Sequence, residues 1–205
     1  MGENIAEDAK KEFSRKEFDE VVEFHGCYCL DIAMGYRVSK ALMREMGDDM
    51  KNMKDVYAYV GAPTCAVDAI QKITGCTLGK RNLVFTNTGK SVFVMQNAKT
   101  GKAVRAYCHY WDHFDHVQLR EQRKAAHAPT STPEKKAAFS ALLDSHVQEI
   151  LMADEATLFN LGSVTLAAPP RSSKYVSEPC GVCGEFAKAD LLQDKDGEKL
   201  CAECV

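Results

Sequence analysis

The sequence predicts an α+β fold with a small metal-stapled module at its C-terminal end. Helical and strand periods follow one another without regular βαβ alternation, which separates this class from doubly wound folds. The chain has 205 residues, 45% hydrophobic and 27% charged, enough apolar content for one sizeable core. Two Cys-x-x-Cys pairs, Cys180/Cys183 and Cys201/Cys204, stand seventeen residues apart at the end. The expected division is an α+β core domain over residues 1–170 and a four-cysteine domain over residues 171–205.

The first helix is expected from Ser14 to Phe24, because Ser14-x-x-Glu17 is a capping box and Phe18, Val21 and Val22 keep helical spacing up to the break at His25-Gly26. Leu30 to Met46 reads as a second helix, with Leu30, Met34, Val38 and Ala41 on one stripe and Gly47 as its stop. Val56 to Val60 reads as a short strand, and Pro63-Thr64 open a third helix that ends at Thr74-Gly75. Leu83 to Thr86, Ser91 to Asn97 and Ala103 to Tyr107 predict an antiparallel β-meander, turning at Asn87-Thr88-Gly89-Lys90 and Lys99-Thr100-Gly101-Lys102. Trp111 to His127 and Pro133 to Met152 read as helices, Val164 to Ala168 as a strand, and Pro169 to Pro179 as a linker.

Nine cysteines at short paired spacings, an odd count, read as metal ligands or redox groups of a reducing compartment, not as a disulfide framework. The polar start of the chain and the absence of an 18-residue apolar run predict neither a signal peptide nor a membrane span, hence a cytoplasmic protein. Net charge is −3, and from Tyr175 onward seven acidic residues face three lysines. A nucleic-acid-binding finger needs a basic face, so the acidic tail argues against DNA or RNA as a partner.

The tail knuckles can turn four thiolates toward one point, which is the tetrahedral requirement of a structural Zn²⁺. A module of about 30 residues has too little core of its own and depends on such a metal to fold. The front of the chain carries a second set, His25, Cys27, Cys29, Cys65 and Cys76. His25, Cys27 and Cys65 are the candidate ligands of a core metal site. Cys65 falls in the first turn of the third helix, where backbone N–H groups and the helix dipole stabilise a thiolate and lower its pKa. Cys65 also reads as a small buried hydrophobe, and Cys76 reads so more readily than as a ligand. Asp68, Arg37 and Lys80 join Cys65 as candidate catalytic residues lining a cleft, although Arg37 also reads as a side chain that keeps its head in water. His109, His113 and His116 would share one face of a helix, which is either a metal site or a solvated face.

The stretch Cys65 to Leu83, with Asp68, Gln71, Thr74-Gly75-Cys76-Thr77, Gly79-Lys80 and Asn82, resembles the FmdE family, proteins of formylmethanofuran dehydrogenase operons. Phe24-His25-Gly26, Cys29 and Gly35-Tyr36-Arg37 are similar to its pattern His-Gly-His-x-Cys-Pro-Gly followed by Gly-x-Arg. Cys27 stands in place of the second His, and Leu30-Asp31 in place of Pro-Gly. The resemblance implies an α+β core, a homodimer built through intertwined β-hairpins, and a C-terminal zinc finger. That finger is expected as a zinc ribbon or truncated treble clef, because the chain ends one residue after Cys204. It also implies a metal-binding role in one-carbon or redox chemistry linked to molybdenum or tungsten enzymes. The alternative is a non-catalytic metal carrier, or an assembly or regulatory protein that docks a protein partner through its zinc finger.

Overall fold

The computed structural model describes residues 13–167, 169 and 176–205. The chain divides into two compact units, Met1–Pro169 and Pro170–Val205. The first is an α+β core and the second a cysteine-bearing module.

In the core unit, helix α1 is Arg15–His25, α2 is Leu30–Met46 and α3 is Ala66–Thr74. Ser14 caps α1 by accepting from the Glu17 N–H, but Glu17 does not reach back to close the box. Its carboxylate accepts from the Tyr36 hydroxyl and from Lys40 instead. The stripe expected for α2 proves too narrow, because Ile32, Ala33, Tyr36 and Leu42 are buried as well. A helix apolar on most sides belongs in the middle of a domain. It packs there against α1, α3 and the sheet.

Five strands form one sheet: β1 Val56–Val60, β2 Leu83–Phe85, β3 Val92–Asn97, β4 Ala103–Tyr107 and β5 Asn160–Ser163, in the order β2-β1-β3-β4-β5. β1 therefore separates β2 from β3, where a simple meander would pair them. It runs antiparallel to β3, with Ala58 opposite Met95, and parallel to β2, with Ala58 opposite Leu83. A parallel neighbour needs a crossover, and α3 supplies it, making one βαβ unit inside the antiparallel sheet. Val56, Ala58, Val60, Phe93, Met95, Val104 and Ala106 face the helices and are buried. Tyr57, Tyr59, Arg105 and Tyr107 alternate to the other face.

Two elements start or lie elsewhere than the sequence suggests. Trp111 does not open a helix: His109–Asp112 is a 3₁₀ turn, and helix α4, His116–His127, begins where the Asp115 carboxylate accepts from Val117 and Gln118 N–H groups. Asp112, the earlier acid, instead accepts from the Tyr107 hydroxyl through both carboxylate oxygens. The last strand is β5, not Val164 to Ala168, of which 164–167 form no strand and 168 lies outside the described residues. Its short polar sequence, Asn-Leu-Gly-Ser, pairs with β4 through backbone bonds that need no apolar side chain. Helix α5 is Pro133–Met152, followed by the single turn α6, Glu155–Leu158.

The second unit consists of two hairpins, β6 Ser177–Pro179 with β7 Phe186–Lys188, and β8 Gln193–Lys195 with β9 Glu198–Leu200. Asp196 and Gly197 take the positive φ values of 55° and 84° that a two-residue hairpin turn requires.

Candidate metal centres

His25 closes α1, and Gly26 behind it takes the left-handed conformation, φ 80°, that turns the chain toward α2. Cys29 is the extended residue immediately before α2, and Cys65 stands just before α3. The ligand atoms of His25, Cys29 and Cys65 all lie within 4.8 Å of one another. Their meeting depends on how closely α2 and α3 approach. A Cβ on Gly35 would sit 2.6 Å from Ala66 O and 2.8 Å from the Ala69 Cβ, so only glycine allows this contact. The contact holds the two helix starts, each with its thiol, side by side.

The imidazole is oriented from behind. His25 Nδ1 lies 2.7 Å from Asp68 Oδ2, and Asp68 Oδ1 accepts from the Gln71 amide at 3.2 Å. With Asp68 ionised, Nδ1 carries the proton and Nε2 is left as the ligand atom, the arrangement found behind metal-bound histidines. Asp68 is thus placed to orient a ligand.

Burial pushes the Cys29 thiol up to about 12 and raises that of Cys65, with Asp31 adding to both. The depression expected for a thiol at a helix start is outweighed by desolvation. A coordinated cation reverses that balance, because its charge expels the thiol proton. Asp31 itself, in the first turn of α2, is raised by burial and held down by His116 and His25. A carboxylate in the first turn of a helix is ordinary in sequence, so only its burial beside two histidines marks it.

Three sequence candidates lie elsewhere. Cys27 is exposed, its Sγ 3.7 Å from Tyr28 O, and Cys29 takes the place beside His25 and Cys65 that was expected of it. The reason is rigidity: Cys29 is fixed by the buried helix it precedes, whereas Cys27 lies in the bend outside it. Arg37 is 4% exposed and donates to the carbonyls of Ile150, Leu151 and Ala153. It satisfies the free carbonyl end of α5, so it serves the fold and does not line the cluster. Lys80 donates to Gly75 O, at the opposite end of α3 from Cys65. Nine helical residues separate the two ends by about 13 Å. Cys76 is buried, and its sulfur accepts from the Asn82 amide. The three histidines share no helical face, since α4 starts only at His116. His116 packs on Trp111 and Phe114, while His109 and His113 line a different hollow with His146 and Glu149.

In the second unit, the ligand atoms of Cys180, Cys183, Cys201 and Cys204 also lie within 4.8 Å of one another. Tetrahedral zinc with sulfur at about 2.3 Å sets sulfurs about 3.8 Å apart. Cys183 and Cys201 are 3.9 Å apart. The backbone N–H groups of Cys183, Cys201 and Val182 pull the Cys180 thiol down to about 6, while the hydrogen bond with Cys201 pushes Cys204 up to about 12 and Cys183 is raised too, so the four become thiolates together only around a cation. Four thiols on a tetrahedral scale fit a closed structural metal such as zinc.

Fold and sites together define an α+β protein with a three-donor imidazole–thiol cluster and a separate four-thiol module, both suited to a metal. The chain belongs to the FmdE family: residues 24–160 match the family described as "FmdE, Molybdenum formylmethanofuran dehydrogenase operon". Membership links it to formylmethanofuran dehydrogenase systems. It is 29% identical over 190 residues to a "Probable S-adenosyl-L-methionine-binding protein" of Archaeoglobus fulgidus, covering 89% of this chain and 50% of that protein. The chain thus spans about half the length of this curated relative. The crystal structure of a tungsten formylmethanofuran dehydrogenase FmdE-like protein from Syntrophus aciditrophicus shares the fold, with a TM-score of 0.59 at 21% identity, covering 93% of this chain and 91% of that one. Among the described residues no helix is long and apolar enough to cross a membrane.

Proposed function

We propose that His25, Cys29 and Cys65 hold one metal ion with a coordination position left open, and that the protein is a redox or one-carbon component of molybdenum- or tungsten-dependent formylmethanofuran dehydrogenase-type systems. The observation that carries this reading is the convergence of three donors from three elements within 4.8 Å, with His25 fixed by Asp68. A metal held by three protein ligands supplies a Lewis acid or an electron-relay site. The chain's own residues do the rest: Asp68 fixes the imidazole, α2 and α3 fix the thiols, and Asp31 places a carboxylate beside them. Cys180, Cys183, Cys201 and Cys204 hold a structural zinc. The protein works in the cytoplasm as a homodimer, which covers the edges of β2 and β5 that have no partner strand among the described residues.

A second reading is a metal carrier or assembly factor that docks a protein partner through its zinc module. Two observations favour it. The exposed Cys27 thiol lies between His25 and Cys29 and offers an exchange ligand. The module also exposes Phe186 at 74% and Leu191 at 68%, apolar side chains suited to a partner. The Archaeoglobus relative's name adds S-adenosyl-L-methionine as a ligand to test.

Elemental analysis per chain tests the central reading. A second metal beside the structural zinc is expected in the unmodified protein and in Cys27→Ala, and is expected to be absent from folded Cys65→Ala and Cys29→Ala. A Cys65→Ala protein with undiminished metal would sink the proposal. Retention of the metal through turnover favours an enzyme, and its release to a metal-free target enzyme favours a carrier.

A further inference from the structure

A cavity of roughly 500 Å³ opens beside β4 and the Asn87–Ser91 turn, with none of the cluster's ligands in its lining. Lys90, Ser91, Arg105, Tyr107, Trp111 and Asp112 line it. Among the described residues, neither Lys90 nor Arg105 is paired with a carboxylate. The only acid in the lining, Asp112, accepts from the Tyr107 hydroxyl at 2.8 Å. Arg105 is held over the Tyr107 ring, 5.9 Å from its centroid. A guanidinium and an ammonium thus face one hollow whose described lining holds a single carboxylate, Asp112, so the cations outnumber the acid two to one, and aromatic rings form its walls.

The cationic side is built and not adventitious. The turn carrying Lys90 is clamped onto Gly61: Gly89 N–H donates to Gly61 O at 3.0 Å, and Gly61 N–H donates to Val92 O at 2.9 Å. A Cβ on Gly61 would lie 2.3 Å from Lys90 O, so this seating needs glycine. Gly61 is four residues before Cys65, on the segment that leads from β1 to the thiol. The other wall is fixed as well. Trp111 stacks on His116, and Cys108, also in the lining, donates its N–H to Ser91 O at 3.0 Å. The wall that bears Lys90 is therefore seated on the segment that leads to Cys65. In a βαβ unit, the loop beyond the strand's carboxyl end is where ligands gather.

We propose that this cavity is an oxyanion subsite of the core centre, in which Arg105 and Lys90 bind the carboxylate or phosphate of a small organic anion, Trp111 and Tyr107 flank its body, and Asp112 accepts from a hydroxyl or amino group. Arg105 offers a planar fork to the oxyanion, and Lys90 a mobile point charge. The role of the anion rests on the metal-centre reading, but its binding does not.

The chain has a single tryptophan, so Trp111 fluorescence reports on this cavity without labelling. The full chain is titrated with phenyl phosphate and, separately, with benzoate, and metal content is measured on the same samples. A saturable change is expected, weakening as salt rises, and the probe that saturates at the lower concentration assigns the phosphate or carboxylate class. Arg105→Ala and Lys90→Ala should each lose about tenfold in affinity or more, with unchanged melting temperature and metal content. Lys124→Ala, on the exposed face of α4, should bind as the unmodified chain does. Cys65→Ala should keep the anion response while losing core metal. No saturable response to either probe, or undiminished affinity in the folded double variant Lys90→Ala/Arg105→Ala, overturns the subsite and leaves the metal-centre reading standing. Undiminished metal in Cys65→Ala overturns the metal reading and leaves the subsite standing.

Discussion

Gly35 offers the sharpest test of how the core cluster is built. Replacing it with alanine places a Cβ 2.6 Å from Ala66 O, 2.7 Å from the Ala66 Cα and 2.8 Å from the Ala69 Cβ. Two of these atoms are backbone, so no side chain can rotate aside. To restore ordinary contact, α3 must retreat by roughly 0.8 Å, the gap between 2.6 Å and the 3.4 Å lower edge of ordinary contact. Alanine is the better helix former by about 1 kcal/mol. Overpacking a tight core costs up to about 3 kcal/mol. The clash wins, leaving a net loss near 2 kcal/mol, which for a domain of this size lowers Tm by about 4–8 °C. The retreat also separates the starts of α2 and α3, and with them Cys29 from Cys65. Thermal melting and elemental analysis of Gly35→Ala should therefore show a lowered Tm together with loss of core metal, while the C-terminal zinc remains. A variant that melts with the unmodified protein and keeps its full metal content would show that the helix contact does not position the thiols.

Arg37→Met should destabilise the core by about 2–4 kcal/mol in urea, because buried carbonyls at the end of α5 lose their donor, yet the folded fraction should bind core metal normally. If Arg37→Met instead spares stability and abolishes metal binding, Arg37 belongs to the site after all. Asp68→Asn should weaken core metal affinity by about 10–100-fold through loss of the carboxylate behind His25, read by competition with a chromophoric chelator. Unchanged affinity would remove Asp68 from the centre. Cys183→Ser should release zinc and expose the C-terminal unit to protease while the melting of the core unit stays put. A protease-resistant, zinc-replete tail would contradict this. Sedimentation at micromolar concentration should give twice 22.7 kDa, and a single species at 22.7 kDa would exclude the homodimer.

The features legible in the amino-acid order are local ones. The tail knuckles can be read there because Cys-x-x-Cys closes its own turn, so four short-range choices fix where four sulfurs point. The α2 and α3 helices are legible for the same reason: their apolar periods and the stops Gly47 and Gly75 are properties of neighbouring residues. Even His25 with Cys65 could be paired from spacing and helix starts. The choice between Cys27 and Cys29 could not, because both are two residues from a neighbour of like kind, and only the burial of α2 fixes which thiol is held still. Arg37 reads as a candidate cleft cation until α5, more than a hundred residues away, brings it three carbonyls. β1 lies between β2 and β3 because α3 returns the chain to β1's other edge, a crossover that strand periodicity does not encode. Lys90 and Arg105 look like ordinary surface cations in the sequence, and they face one cavity only because the Gly61 contact and the β3–β4 register bring them there. Long-range packing decides which side chains meet, and one-dimensional patterns carry no record of it.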